Sequence, residues 1–346
     1  MLGSSFKLLG QDFVHDLITA NMNPFTALFI GVLATVLVQS SSVTTSIVVG
    51  LVSGGVLSVS NAVPIVMGAN IGTTVTNALV SFGHASQREE FKRAFSGSII
   101  HDFFNIIAVS VLLPLELMTG FLQKSASYLS GLLYGIGGVN YKSPIKVVVG
   151  NITKGIQHAL EAVLPFSDKI IGTVLIVLAC LLIFICLFGL VKLLRKIMIG
   201  RVVAVMDRAL SRSAVIAMTI GVLITVVVQS SSITTSLLVP LLGGGIITLE
   251  VAFPIILGAN IGTTVTALLA ALTGTQAGLT IALVHLLFNI TGIAMIYPFK
   301  PIREIPLRMA RWMGNRVHEK RRLAVIFVLM VFFVIPFSVM LISKAL

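Results

Sequence analysis

Residues 31–55 read GVLATVLVQSSSVTTSIVVGLVSGG, and residues 221–245 read GVLITVVVQSSSITTSLLVPLLGGG. A shift of 190 carries one stretch onto the other, and the same shift superposes VPIVMGANIGTTVTN (63–77) on FPIILGANIGTTVTA (253–267). The match continues from His101-Asp-Phe-Phe-Asn105 to His285-Leu-Leu-Phe-Asn289 at a shift of 184, so the first copy carries a longer loop, expected over His84–Arg93. The chain is two copies of one unit, and any fold proposed for it must respect that duplication.

Composition decides what surrounds the two copies. Apolar residues make up 56% of the 346 and charged residues only 10%, with a mean hydropathy of +1.06; about a quarter of a soluble domain is charged. No Asp, Glu, Lys or Arg occurs between Asp16 and Arg88, and Glu250 is the only one between Arg212 and Lys300. Such stretches cannot form a water-facing surface, so the chain is expected to be a polytopic helical membrane protein. Its net charge of +12 does not point to nucleic acid, because the basic residues collect between apolar runs, chiefly at 192–212 and 300–322. That is the positive-inside pattern, and both segments are read as cytoplasmic. Cys180 and Cys186 share one apolar run, where no disulfide is expected, and residues 1–20 lack the apolar core of a cleavable signal peptide.

Counting crossings outward from the basic segments gives the topology. The halves flanking each QSSS are about 14 residues, or ~21 Å of helix, against a hydrocarbon core of ~30 Å. Each pair is therefore read as a re-entrant hairpin with QSSS at its tip. The expected fold is all-α, with two inverted-topology repeats, each holding such a hairpin and discontinuous transmembrane helices. Repeat 1 spans 1–115, with the hairpin at about 25–55, a broken helix at 58–81 and a helix at 94–115. An extracytoplasmic connector follows over 116–169. Repeat 2 spans 170–298, with a helix at 170–191, the hairpin at about 214–246 and helices at 251–271 and 277–298. A basic cytoplasmic segment and a last transmembrane helix fill 299–346.

The motifs carry hard-oxygen and anion chemistry. Gln39, Ser40, Ser41 and Ser42, and their copies Gln229, Ser230, Ser231 and Ser232, place hydroxyls, an amide and free N–H groups at helix N-termini, which favour anions. Two such tips could enclose one small oxyanion; the plainer alternative is Ser and Thr packing between helices. Thr44, Thr45, Asn70, Thr73 and Thr74, with Thr234, Thr235, Asn260, Thr263 and Thr264, offer oxygens for a sodium ion beside glycines that would let a helix unwind. The alternative for Gly68, Gly72, Gly258 and Gly262 is close helix packing. No Lys or Arg adjoins these motifs in sequence, so an anion bound there would need co-bound cations. Asp102 lies inside an apolar span and is read as a sodium ligand or proton carrier, whereas the second copy has Leu286. Asn105 is grouped with it, while His101 and His285 are read as helix cross-links rather than metal ligands. Trp312 and Tyr297 fit interfacial anchoring, and the Asn151 sequon matters only in a glycosylating host. An intramembrane hydrolase using Ser40 or Ser230 would need a base that neither tip has nearby in sequence. A passive channel is a further class, separable by its indifference to a sodium gradient.

The paired QSSS and GANIGTT motifs and RAFSGSIIHDFFN (Arg93–Asn105) together resemble the type II sodium-dependent phosphate cotransporters, from about Gly3 to the last span. The resemblance implies sodium-coupled uptake of inorganic phosphate, with phosphate between the two QSSS tips, sodium around them, and a mobile unit moving against a scaffold. It implies an electrogenic cycle through Asp102, although Ser96 and Ser98 stand where electrogenic relatives have alanine. In that family a helix precedes the stretch resembling Gly3–Gly10, and animal members carry a large disulfide-bearing loop that the segment 116–169 lacks; a bacterial inner membrane is the expected location. The expected partners are inorganic phosphate, sodium and the lipid bilayer, with a homodimer as the assembly considered. No cofactor is expected beyond co-transported sodium, nor enzymatic activity. The alternative is a sodium- or proton-coupled carrier of another oxyanion, or a phosphate exporter.

Overall fold

The computed structural model describes residues 22–136 and 213–345, apart from Thr273, together with scattered residues between 155 and 185. Among them there is no strand. The first copy runs α1 (Pro24–Val38), α2 (Ser41–Ser53), α3 (Val59–Gly72), α4 (Val75–Ser81) and the long α5 (Arg88–Thr119), followed by α6 (Phe121–Ile136). The second runs α7 (Ala214–Val228), α8 (Ser231–Gly243), α9 (Leu249–Ala271) and α10 (Gln276–Ile296), and α11 (Lys300–Glu319), α12 (Arg322–Leu329) and α13 (Ile335–Ala345) close the described chain. The expected helix at 170–191, the basic segment at 192–212, both cysteines and the Asn151 sequon fall outside the described residues or nearly so.

Among the described residues five stretches are long and apolar enough to cross a bilayer: Val59–His84, Arg88–Thr119, Leu249–Ala271, Gln276–Ile296 and Arg322–Ile342. The hairpin arms α1, α2, α7 and α8 are apolar but only 13 to 15 residues long, or about 20–22 Å, too short to cross alone. Their ends are set locally. Asn23 caps α1 with Pro24 at its first position, and Ser213 caps α7, both familiar start signals.

Glycine decides how the arms pack. A Cβ on Gly31 would overlap the carbonyl of Ile65, and one on Gly68 the carbonyl of Leu28. In the second copy Gly221 and Gly258 stand in the same relation to Ile255 and Met218. Each hairpin's first arm is thus pressed backbone to backbone on the GANIGTT helix of its own copy, an approach only glycine permits. The glycines are a packing face; they do not unwind the second helix. In the first copy α3 ends at Gly72 and α4 begins at Val75, and between them the Thr73 carbonyl accepts a 3.2 Å hydrogen bond from Ser232 Oγ. In the second copy α9 continues through Gly262 and Thr263 to Ala271.

Three further boundaries differ from expectation. The loop expected over His84–Arg93 shrinks because α5 begins at Arg88, its first turn carrying Glu89 and Glu90 against the helix dipole. The same helix extends to Thr119, and the supposed connector begins with α6. Glu116 receives the Leu122 and Gln123 amides at 2.6 and 3.1 Å, so its carboxylate caps α6. Ser130 then bonds Thr280 of α10 at 2.8 Å, which ties α6 into the bundle. Finally, α11 lies on α5, where Gly314 approaches the Lys92 carbonyl and Ser96.

Gly68→Ala is expected to destabilise the folded protein by about 3 kcal/mol or more, the upper end of overpacking costs. Gly83→Ala, where a Cβ meets nothing within 4 Å, is the control. Equal thermal unfolding midpoints for the two variants in detergent would contradict the packing described.

Candidate functional site

Each tip is a two-residue turn between short helices. Gln39 and Gln229 both sit at φ 56°, and among the described residues they are the only non-glycine positions with positive φ. A left-handed glutamine costs roughly 1–3 kcal/mol and persists only where the surroundings enforce it. Ser40 and Ser230 follow in extended conformation, and their hydroxyls accept the amides of Val43 and Ile233 at 3.3 and 3.4 Å. Those bonds serve one of the first-turn N–H groups in each helix. The amides of Ser41, Ser42, Ser231 and Ser232 precede any intrahelical acceptor. The two helix N-termini are therefore donor-rich and carry positive dipole ends.

The tips are in contact: Ser42 Oγ donates to the Gln229 carbonyl at 3.5 Å. Each glutamine is also held from outside its hairpin, Gln39 Oε1 by Thr76 at 3.3 Å and Gln229 Oε1 by Thr266 at 2.7 Å. The symmetry stops at Asn77. Its amide donates to Thr235 at 2.7 Å and its carbonyl oxygen accepts from Ser236 at 2.8 Å. The equivalent residue is Ala267, and Ser46, the copy of Ser236, is buried with no partner for its hydroxyl. Likewise Thr225 bonds Thr234 at 2.8 Å, while Thr35, its copy, has none. The first tip is accordingly looser, with Gln39 exposed and Gln229 buried.

The sodium candidates occupy two kinds of environment. Thr44, Thr45, Thr73, Thr74, Thr234, Thr235, Thr263 and Thr264 each donate their hydroxyl hydrogen to a carbonyl three or four residues back in the chain. Their oxygens keep lone pairs for a cation, except where Thr225 and Asn77 already use those of Thr234 and Thr235. Asn70, Asn105 and Asn260 instead join the histidines in a buried knot. His101 of α5 bonds Asn260 of α9, and His285 of α10 bonds Asn70 of α3 at 3.3 Å. Asn105 donates to the Asn70 carbonyl at 2.9 Å, Asn260 donates to Asn105 at 3.3 Å, and Asn289 donates to Asn70 at 3.4 Å. Each histidine thus reaches into the other copy, the cross-link expected from sequence. Among the described residues no group of three or more His, Cys, Asp or Glu could hold a metal.

Asp102 is fully buried, and neither carboxylate oxygen has a hydrogen-bond partner. The structure does not join it to His101 or to the asparagine knot by a hydrogen bond. A buried carboxylate without donors needs a cation or a proton to be tolerated there. Sequence reasoning passed over Asn77, Thr76, Thr225 and Thr266. The signal for Asn77 was present in the repeat itself, as the mismatch with Ala267 at the end of an otherwise near-identical motif.

Residues 1–140 and 169–308 match the family described as Na+/Pi-cotransporter. The chain is 36% identical over 416 aligned positions to the sodium-dependent phosphate transport protein 2A of Rattus norvegicus, with all of this chain and 65% of that protein covered. It is 34% identical over 437 positions to the sodium-dependent phosphate transport protein 2B of Homo sapiens, with all of this chain and 63% of that protein covered. The chain therefore spans a little less than two thirds of the length of these relatives. No solved structure matches it.

The unequal tips give a test. Ser236→Ala removes a partner from Asn77 and should cost about 1–3 kcal/mol, whereas Ser46→Ala deletes a hydroxyl that bonds nothing and should be near neutral. Unfolding midpoints of the two variants that move together would show the asymmetry to be false.

Proposed function

The chain belongs to the Na+/Pi-cotransporter family, a family of transporters and not of enzymes, and from that premise we propose that it carries inorganic phosphate across the membrane coupled to sodium, by an electrogenic alternating-access cycle. The observation that supports this best is the contact between two QSSS tips of identical conformation, Ser42 Oγ against the Gln229 carbonyl. Phosphate binds between Gln39, Ser40, Ser41 and Ser42 on one side and Gln229, Ser230, Ser231 and Ser232 on the other. Hydroxyls and N–H groups of both helix N-termini donate to its oxygens.

Charge arithmetic calls for the cation. Each helix N-terminus supplies roughly half a positive charge, so two leave about one negative charge of a phosphate dianion unbalanced in a site that excludes water. Sodium ions at the threonine and asparagine oxygens of the two GANIGTT helices and the tip helices supply the remainder. Asp102 accommodates an additional sodium and makes the loaded carrier differ in charge from the empty one. The two copies enter the membrane from opposite sides, and the looser, exposed tip at Gln39 is the side from which phosphate enters in this conformation. The chain is a multi-pass membrane protein, and its proposed location is a bacterial inner membrane. A homodimer is its proposed assembly.

Phosphate uptake into proteoliposomes under an imposed inward sodium gradient is expected to be concentrative and to accelerate when the interior is made negative. Folded, inserted protein that shows no sodium-driven uptake would overturn the proposal. Excess arsenate, sulfate or a dicarboxylate identifies a different oxyanion if it, and not phosphate, saturates the carrier. Loss of a hydrogen bond to a charged ligand costs about 1.5–3 kcal/mol, so Ser40→Ala and Ser230→Ala should each raise the phosphate KM by ~10- to 100-fold. Their unfolding midpoints monitor the separate loss of a cap. Asp102→Gly should reduce the charge moved per phosphate.

A further inference from the structure

The helix α11 has apolar side chains on opposite faces. Leu307, Ala310, Gly314 and Val317 are buried, at spacings of three, four and three, on the face that meets α5. Ile305, Met309 and Trp312, at spacings of four and three, fall on the other side and are exposed, Trp312 by 57%. A helix whose core-facing stripe is already satisfied has no packing reason to carry a second apolar stripe, but a helix lying at a bilayer interface does. Seven charged residues interleave with that stripe along α11.

At its C-terminal end the stripe opens into a groove of about 520 Å³, between α11 and the first turn of α12, lined by Trp312, Arg316, Lys320, Arg322, Leu323 and Ile326 among others. Three cations here face a single carboxylate, Glu319, which lies 3.7 Å from Arg316. Arg316 also sits over the Trp312 ring, 5.8 Å from its centroid. The turn is pinned because Arg321 donates to the Ser86 carbonyl at 3.1 Å. Immediately beyond begins the span Arg322–Ile342, which the described residues scarcely cover, and Ile326, Leu329 and Met330 continue an exposed apolar stripe down it at helical spacing. The groove therefore presents positive charge at the membrane–water boundary and an uncovered apolar track leading into the hydrocarbon.

We propose that this groove holds one anionic phospholipid, its phosphate between Arg316, Lys320 and Arg322 and its acyl chain along Trp312, Leu323 and Ile326. The lipid clamps α11 to the last span, and so couples the helix that lies on α5 to the surface charge of the bilayer. The inference needs only a membrane-embedded chain and is independent of what the protein carries.

Trp312 is the only tryptophan of the chain, so its fluorescence reports on this groove alone. The full protein is placed in phosphatidylcholine nanodiscs containing a small fraction of phospholipid brominated on its acyl chains, carried either on phosphatidylglycerol or on phosphatidylcholine. Brominated phosphatidylglycerol should quench Trp312 more strongly. Each basic residue near an anionic lipid contributes about a fivefold preference, so Lys320→Gln with Arg322→Gln should lower that preference on the order of tenfold. The charge-matched pair Lys300→Gln with Arg308→Gln, outside the groove, should leave it unchanged. Equal quenching by the two lipids in the unaltered protein overturns the proposal without recourse to a variant. Equal loss in both double variants assigns the preference to overall charge and overturns it as well.

Discussion

Backbone contact at glycine is the constraint from which the rest follows. Because Gly31 and Gly68, and again Gly221 and Gly258, let carbonyls lie where a Cβ would stand, the first arm of each hairpin is pressed backbone to backbone on the GANIGTT helix of its own copy. A hairpin too short to cross the bilayer has broken backbone at its turn, and inside a membrane such backbone survives only when protein surrounds it. The glycine contacts join each first arm to the rest of its copy. They also fix the level at which each tip sits, and so bring Ser42 to the Gln229 carbonyl.

The polar groups gathered around this frame do different work. The histidine–asparagine knot is internally bonded and ties α3 and α5 of one copy to α9 and α10 of the other. In a medium of low dielectric constant such bonds are costly to break, which makes the two copies behave as one body at that level. The tips are the reverse. They hold left-handed glutamines, N–H groups at helix starts that precede any intrahelical acceptor, and hydroxyls whose lone pairs are not fully used. Backbone strain is concentrated there, in the two glutamines, whereas buried polar atoms without partners lie at Asp102 and in the knot itself, at His101 Nδ1, His285 Nδ1 and Asn289 Oδ1.

Much of this was legible in the chain. The duplicated QSSS stretches stand where each pair of short helices turns, at Gln39-Ser40 and Gln229-Ser230. The glycines were legible as small residues, but whether they unwind a helix or admit a neighbour depends on what lies opposite, which spacing alone does not contain. For that reason glycines read as able to let a helix unwind stand, in α9, inside a continuous helix. The helix α6 was missed because its start is fixed by Glu116, a capping residue that reads as one more polar side chain until the chain is seen to double back. Asp102 was found as a lone charge in an apolar run, yet its lack of hydrogen-bond partners could not be read from residues distant in sequence.

The pairing of Asn77 with Ala267 bears on energy as well as geometry. If the copies exchanged conformations, the bonds that Asn77 makes to Thr235 and Ser236 would have to be remade by Ala267 with Thr45 and Ser46, and a methyl group can make neither. The exchanged form therefore lies uphill of this one by the worth of those bonds, before any ligand is counted. A duplicated molecule with interchangeable halves would rest equally in two mirror postures; the bonds at Asn77, which Ala267 cannot copy, favour one posture over its mirror image.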